Sequence, residues 1–343
     1  MTAMPAPVVA MADAQWLAHR YDPEYDAVHF VRISRAAHAR AAFLIDELLV
    51  PDGAPIIFAR ADAVAAAPIP APIHYLFHSA FCCSTLLARA FDIPGIAMGL
   101  KEPVILNDIV GWRHRGEALG PQVAQVLDES LKLLARPFRT GEATIVKPSN
   151  LINGLADVML ALRPEARALL LHAPLPIYLR SIVKKGLEGR LWARDLLTKL
   201  LREGLIDLGL EGDDYLRLTD LQAAAVGWLA QHALFGRLAA KYPDRVRTLD
   251  SETLLARPYA SVVALAALYG LSIDGGQVDA IITGPAFRSH SKHGTAFDGA
   301  ARDAEYAAAA NAHGEEIEKV EVWASAVAAS ASIPTILPAA LLA

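Results

Sequence analysis

The sequence predicts an α/β fold of three layers, in which a parallel sheet is flanked by helices on both faces and preceded by an N-terminal extension. Apolar strand-like segments alternate with helical segments after residue 70, which is typical of βαβ units. Apolar residues make up 54% of the chain and charged residues 20%, so a large core is expected and global disorder is not. In 343 residues we find no internal repeat, and we expect one domain over 71–343 with an extension over 1–70.

The predicted elements follow the hydrophobic pattern along the chain. The extension contains one alternating segment, predicted as a strand at 27–34, and then a helix at 35–49. Short apolar runs predict the strands of the main domain at 73–77, 96–100, 143–147, 166–173 and 245–250. Helices are predicted to begin near residue 84 and to span 120–135, 151–162, 177–208, 220–241 and 259–269.

Charge and cysteine content exclude several classes of function. The net charge of -5 and the pI near 6.1 argue against general nucleic-acid binding, which requires a basic domain. The two cysteines, Cys82 and Cys83, are adjacent, which excludes a disulfide framework and a zinc site built on four thiolates. Their scarcity fits a reducing compartment, and we expect a cytoplasmic protein.

Neither end of the chain predicts a membrane segment. Residues 1–14 have no basic region of the kind that starts a secretory signal. Residues 322–343 carry no charge, but Pro334 and Pro338 interrupt them. We therefore expect a final helix and a packed tail there, in preference to a membrane anchor.

The segment after the first core strand predicts an anion-binding loop. Small side chains there would let backbone N–H groups converge on an anion, and the following helix would add its positive end. The Walker pattern of glycines and lysine is absent, which argues against an ATP or GTP hydrolase. An ordinary buried turn with Ser84 as helix N-cap remains the alternative. The residues concerned are Ala80, Phe81, Cys82, Cys83, Ser84 and Thr85.

Five segments occur in an order that resembles the P-loop sulfotransferase superfamily, especially its bacterial branch. They are STLLARAFD (84–92), LKEP (100–103), IVKPSNL (145–151), RPEARALLLHAPLPIYLRSIVKKG (163–186) and LDSETLLARP (249–258). The resemblance covers about residues 73–294. It implies transfer of a sulfuryl group from 3′-phosphoadenosine-5′-phosphosulfate to a hydroxyl or amine, without a metal.

The resemblance implies a role for each loop residue. Ser84, Thr85 and the backbone of Cys82 and Cys83 fall where the family cradles the 5′-phosphosulfate. Phe81 falls where the family has an arginine or lysine, so the cation must come from elsewhere in the fold.

Three residues at strand ends are the candidate catalytic groups. Lys101 and Lys147 are the candidate substitutes for the missing cation; a lysine whose stem packs on the surface is the alternative for Lys147. Glu102 resembles the general base of parts of the family, which takes the proton of the acceptor. A salt bridge with Lys101, or a role at a helix N-terminus, is the alternative for Glu102.

The 3′-phosphate site of the family combines a strand-end arginine with a serine on the next helix. His172 occupies the arginine position, and Arg180 and Ser181 occupy the later one. Arg180 could supply the guanidinium and Ser181 the hydroxyl, whereas His172 would bind phosphate well only when protonated. A solvated helix arginine and a structural strand-end histidine are the alternatives.

The last motif resembles the Arg-Lys-Gly loop that closes over the nucleotide in the family. It consists of Lys292, His293 and Gly294, with Arg288 nearby. A polar surface loop is the alternative.

These observations support three functional hypotheses. The first is a sulfotransferase-like enzyme acting on a small-molecule or peptidic acceptor, with no nucleic-acid or membrane partner; a homo-oligomer is compatible with the sequence. The second is a catalytically degenerate nucleotide- or anion-binding protein on the same fold, which Phe81 and His172 favour. The third is a kinase-like transferase, which would need magnesium and for which Asp250 is the available acidic strand end.

Overall fold

The structure is a computed structural model that describes residues 6–288 and 299–342, and of residues 299–312 only the helical backbone. The strands are Trp16–Asp22 (β1), Ala27–Arg32 (β2), Ile56–Ala59 (β3), Ile73–His78 (β4), Ala97–Lys101 (β5), Ala143–Lys147 (β6), Ala168–His172 (β7) and Val246–Asp250 (β8). The helices of the first half are Pro7–Ala12 (α1), Arg35–Arg40 (α2), Arg60–Ala66 (α3), Ser84–Ala90 (α4), Val104–His114 (α5), Gly120–Leu134 (α6) and Ala156–Leu162 (α7). Those of the second half are Leu175–Lys184 (α8), Gly186–Arg202 (α9), Gly212–Arg217 (α10), Asp220–Lys241 (α11), Ser251–Ala256 (α12), Pro258–Tyr269 (α13), Gly275–Thr283 (α14), Pro285–Arg288 (α15) and Gly299–Ser330 (α16).

The core is a parallel five-stranded sheet in the order β5-β6-β4-β7-β8, flanked by helices. This architecture confirms the predicted α/β class. The central strand β4 is buried along its whole length, as are β5 and β6, which explains why their sequences are apolar runs without alternation. The 22-residue helix α11 begins at a capping box in which the Thr219 side chain accepts a hydrogen bond from the Gln222 N–H.

The N-terminal region forms a second, antiparallel sheet in the order β1-β2-β3. The predicted strand at 27–34 is β2, whereas β1 and β3 were not predicted. The predicted helix at 35–49 was too long, because α2 ends at Arg40. The chain then turns away, since the Leu44 N–H donates to the Lys101 carbonyl (2.7 Å) and the Leu44 carbonyl accepts from the Val104 N–H (3.2 Å).

Polar contacts join this N-terminal region to the main domain. The Arg20 guanidinium donates to both carboxylate oxygens of Asp108 on α5, over 2.9 and 2.8 Å. The buried Arg136 guanidinium donates to the Met11 and Trp16 carbonyls, over 3.0 and 2.5 Å. The region therefore packs on the main domain through specific contacts. The boundary at residue 70 stays a prediction.

Two other predicted helices are divided in the structure. The helix predicted at 177–208 is α8 followed by α9, with a break at Gly186, whose φ of 58° lies in the left-handed region that favours glycine. The helix predicted at 151–162 begins as a 3₁₀ turn, Asn150–Leu155, and continues as α7.

The C-terminal segment is a helix, α16, followed by a packed tail, as predicted. The tail runs along β8: the Thr248 N–H donates to the Ala339 carbonyl (2.9 Å), and the Leu341 N–H donates to the Thr248 carbonyl (2.8 Å). Among the described residues, no helix has both the length and the apolar character needed to cross a membrane.

Candidate active site at the carboxyl edge of the sheet

Each strand of the parallel sheet ends in a polar, titratable residue. These are Lys101 on β5, Lys147 on β6, His78 on β4, His172 on β7 and Asp250 on β8. Because parallel strands bring their carboxyl ends to one edge, these residues share the edge at which α/β sheets bind ligands. The edge divides into a β4–β6 end and a β7–β8 end, which differ in their chemistry.

The loop between β4 and α4 has an unusual backbone. Ala80, Phe81 and Cys83 have φ values of 72°, 52° and 63°, in the left-handed region that non-glycine residues rarely adopt. Each such residue costs about 1 kcal/mol, so the surrounding contacts must impose the conformation. Strained backbone of this kind is concentrated at functional sites. The loop thus keeps a turn of the type glycines usually make, although it contains none.

His78 holds the start of this loop. The Ala80 N–H donates to Nδ1 of His78 (3.1 Å), so Nδ1 is the acceptor and Nε2 carries the proton. Nε2 in turn donates to the Pro148 carbonyl (3.0 Å), directly after β6. His78 therefore ties the loop to the neighbouring strand. The role of His78 was not predicted from the sequence, although its position directly after the apolar run was the available signal.

Phe81 packs into an aromatic cluster. Its ring lies 5.6 Å from that of Tyr178 and 5.0 Å from that of Trp192, both edge to face. Tyr178 is fully buried, and its hydroxyl has no hydrogen-bond partner among the described residues. The position that resembles the family's cation site is therefore occupied by apolar packing.

The other loop residues are closely packed at the start of α4. Ser84 and Thr85 are buried. The Cys82 thiol is also buried and donates to the Leu171 carbonyl (3.4 Å), and burial raises its pKa. A thiol of raised pKa is a poor nucleophile, so Cys82 has a packing role. Cys83 is half-buried at the N-cap of α4.

Glu102 and Lys147 form an ion pair at the β4–β6 end. The Lys147 side chain is 1% exposed and that of Glu102 is 21% exposed, so the pair opens to solvent on the carboxylate side. Glu102 has a φ of 52°, and its N–H donates to the Lys147 carbonyl (2.7 Å). Nε2 of His78 lies 3.7 Å from the Glu102 carboxylate. Two predicted catalytic residues are thus brought together beside the loop.

The Lys101 side chain points away from the Glu102–Lys147 pair. It is fully buried, and its ammonium donates to the His38 and Ala39 carbonyls at the end of α2, over 2.8 and 3.2 Å. Burial lowers its pKa to about 8, and the charge of Asp92 opposes this shift. The structure therefore does not place Lys101 with the Glu102–Lys147 pair.

The β7–β8 end is formed by neutral rings. The rings of His172 and His232 meet edge to face at 5.0 Å, and His232 stacks on Trp228 at 3.5 Å. Burial lowers the pKa of both histidines, and that of His232 falls well below 6.5. Nδ1 of His172 has no hydrogen-bond partner among the described residues. These rings are therefore uncharged at neutral pH.

A cavity of about 450 Å³ lies beside these rings. The ends of β7 and β8, the start of α8, α16 and the C-terminal tail enclose it. Its walls include His172, Leu175, Trp228, Leu249, Asp250 and Leu337. The volume is within the range of small-molecule sites.

The two candidates on α8 differ in their availability. The Ser181 hydroxyl donates to the Ile177 carbonyl of its own helix (2.8 Å). Nε of Arg180 is buried without a hydrogen-bond partner among the described residues. Arg180 lies close enough to α16 for its charge to lower the pKa of Glu321, which burial raises overall. Lys292, His293 and Gly294 lie outside the described residues, and Arg288 is exposed at the end of α15.

Asp250 is used as a helix cap. Its carboxylate accepts from the Glu252 and Thr253 N–H groups at the start of α12, over 3.0 and 2.8 Å. Within 6–288 and 313–342, we find no group of three or more histidine, cysteine or acidic side chains that could hold a metal ion.

Comparisons with known proteins extend to the level of the fold. No protein-family model and no curated protein matches this chain. The sulfotransferase domain from the curacin biosynthetic pathway is similar over 67% of this chain and 84% of its own, with 13% identity and a TM-score of 0.42. The sulfotransferase domain of the Synechococcus PCC 7002 olefin synthase is similar over 68% and 83%, with 14% identity and a TM-score of 0.43.

A Mycobacterium avium sulfotransferase is similar over 73% of this chain and 78% of its own, with 12% identity and a TM-score of 0.40. All three neighbours are described as sulfotransferases.

Proposed function

We propose that this chain is a sulfotransferase-like enzyme that transfers the sulfuryl group of 3′-phosphoadenosine-5′-phosphosulfate to a hydroxyl or amine of a small-molecule or peptidic acceptor. The observation that carries the proposal is the Glu102–Lys147 ion pair beside the strained loop after β4. Sulfuryl transfer needs a cation for the leaving group and a base for the acceptor, and this pair supplies both.

The residues present fit the two halves of the co-substrate unequally. The loop with its left-handed backbone, together with Ser84 and Thr85, would hold the phosphosulfate. The cavity of about 450 Å³ at the β7–β8 end would take the nucleoside. Nε of Arg180, which has no hydrogen-bond partner among the described residues, would serve the 3′-phosphate, because a buried guanidinium N–H without an acceptor favours an anion.

Glu102 and Lys147 act on different atoms during the proposed sulfuryl transfer. The Glu102 carboxylate takes the proton of the acceptor as its oxygen or nitrogen bonds to sulfur. The co-substrate supplies the sulfuryl group, and its bond from sulfur to the 5′-phosphate oxygen breaks in the same displacement. The Lys147 ammonium stabilises the negative charge that develops on that leaving oxygen. His78 keeps the loop in register with β6, so the reacting atoms stay in line.

The second candidate is a nucleotide- or anion-binding protein without turnover. The packing of Phe81 against Tyr178 and Trp192 favours it, because no cation occupies that position. The kinase-like candidate has less support, because Asp250 caps α12.

The test is transfer of radiolabelled sulfuryl from the co-substrate to a panel of hydroxyl and amine acceptors. We expect product with the native protein and at least about a hundredfold loss with Glu102→Gln, which keeps the shape and removes the base. Glu117→Gln, which makes the same change at an exposed residue outside the proposed machinery, is the control. Tight binding of 3′-phosphoadenosine-5′-phosphate without transfer to any acceptor would favour the binding protein.

A further inference from the structure

Residues 38–44, which we call the N-terminal strap, cross the carboxyl end of β5. The strap is fixed at its start by Lys101, whose buried ammonium donates to the His38 and Ala39 carbonyls. An ammonium that loses water must recover equivalent hydrogen bonds, so these two carbonyls hold the strap and the lysine together.

The other end of the strap is fixed by the backbone. The Leu44 N–H donates to the Lys101 carbonyl over 2.7 Å, and the Leu44 carbonyl accepts from the Val104 N–H over 3.2 Å. The Leu44 side chain is fully buried. These bonds lie on either side of Glu102 in the sequence. The strap is therefore attached to the chain segment that carries the proposed base.

Phe43 lies between these two attachments and faces the other member of the pair. The Lys147 Nζ is 5.2 Å from the centre of the Phe43 ring, within the range of a cation–π contact. Lys147 thus has the Glu102 carboxylate and an aromatic ring as neighbours. The ring comes from the N-terminal region, although the lysine belongs to the main sheet.

We infer that the N-terminal strap is part of the active site: Phe43 is a positioning residue that shields the Lys147 ammonium and directs it to Glu102, and Lys101 is the positioning residue that holds the strap. The catalytic role of Phe43 and Lys101 rests on the proposed sulfuryl transfer. The shielding of the Lys147 ammonium by Phe43 does not depend on that proposal. The N-terminal region is then required for the site itself as well as for packing.

The test is trace acetylation of the native protein with acetic anhydride, with the rate at Lys147 read by mass spectrometry. Lys241, whose side chain is 56% exposed, is the internal reference. We expect Phe43→Ala to raise the Lys147 rate about tenfold relative to Lys241, and Phe43→Tyr, which keeps the ring, to restore the native rate. Phe43→Leu should lie between them, because it keeps bulk without the π face.

Lys101→Met tests the strap from outside the contact. We expect it to raise the Lys147 rate about threefold, because the strap loses its side-chain anchor. An unchanged Lys147 rate in both Phe43→Ala and Lys101→Met would overturn the inference. If Phe43→Ala does not fold, equal rates in Phe43→Tyr and Phe43→Leu would overturn the role of the ring.

A further arm separates this inference from the proposed function. Acetylation is repeated with saturating 3′-phosphoadenosine-5′-phosphate. Slower acetylation of Lys147 in the presence of the bisphosphate would support both the strap inference and the proposed function. If the Lys147 rate depends on Phe43 but the bisphosphate does not lower it, the strap inference would stand and the proposed function would lose support.

Discussion

At the end of β6, Lys147 is buried and meets a carboxylate, whereas at the end of β7, His172 is half-buried and meets a second imidazole. Lysine at this position is held by an ion pair with Glu102, while burial lowers the pKa of His172 and leaves it neutral. A buried site keeps charge only where a partner compensates for the lost water. The β4–β6 end is therefore suited to a charged group and the β7–β8 end to a largely apolar one.

The largest expected effect comes from breaking the charged end. Glu102→Gln leaves the buried Lys147 ammonium without its carboxylate partner and should lower the free energy of unfolding by roughly 3 kcal/mol. Chemical denaturation followed by circular dichroism measures it. The double variant Lys147→Met/Glu102→Gln should recover part of the loss, because it removes the uncompensated charge. A single variant as stable as the native protein would show that the pair is not coupled.

The neutral histidines at the β7–β8 end should make the free energy of unfolding depend on pH. Burial, with a contribution from His172, holds the pKa of His232 well below 6.5, so the unfolded chain binds a proton that the folded protein does not. Stability is therefore complete above pH 6.5 and falls as the pH drops below it, by about 1.4 kcal/mol per pH unit for this one group. His232→Phe, which can still stack on Trp228, should flatten this part of the profile. Urea denaturation at about pH 7.5 and about pH 5.5 measures the difference in slope; an unchanged slope would contradict a neutral His232.

A cation added at the β7–β8 end should increase the affinity for 3′-phosphoadenosine-5′-phosphate. His172→Arg places a permanent cation where the neutral ring lies and should tighten binding of 3′-phosphoadenosine-5′-phosphate about tenfold. His172→Gln, which adds no charge, is the matched control and should change affinity little. Calorimetry measures the dissociation constants of the two variants. Equal affinities would place the 3′-phosphate away from His172.

The smallest expected effect concerns the loop that joins the two ends. Ala80 has a φ of 72°, so Ala80→Gly should relieve strain and stabilise the protein by about 0.5–1 kcal/mol. Ala88→Gly makes the same change inside α4, where glycine should destabilise by about 1 kcal/mol. Thermal unfolding gives both values. Changes of the same sign would mean that the Ala80 backbone is not strained.

The main sheet could be predicted from the sequence because its strands are apolar runs between helices. The neighbouring strand ends of Lys147 and Glu102 could also be predicted to share one edge. The N-terminal sheet was predicted only in part, because β3 has four residues and β1 does not alternate in burial. Such short pairings are decided by tertiary contacts more than by local pattern.

The contacts of the site could not be predicted in full. Lys101 and Lys147 look equivalent in the sequence, each ending a strand, yet one ammonium faces α2 and the other faces Glu102. Phe43 gave no signal, because its relation to Lys147 depends on how the strap is tied to β5. Side-chain direction at a strand end depends on the groups that satisfy it, and those come from distant parts of the chain.

The most direct test of the account is calorimetric titration with 3′-phosphoadenosine-5′-phosphate in the absence of metal, with ATP and magnesium as the control ligand. The native protein should bind the bisphosphate with a dissociation constant of roughly micromolar order, and His172→Gln should retain most of that affinity. Lys147→Met should weaken it about a hundredfold, because the charged end anchors the ligand. Failure of the native protein to bind the bisphosphate, or equal affinity in Lys147→Met, would contradict the claim that the β4–β6 end is the anion site.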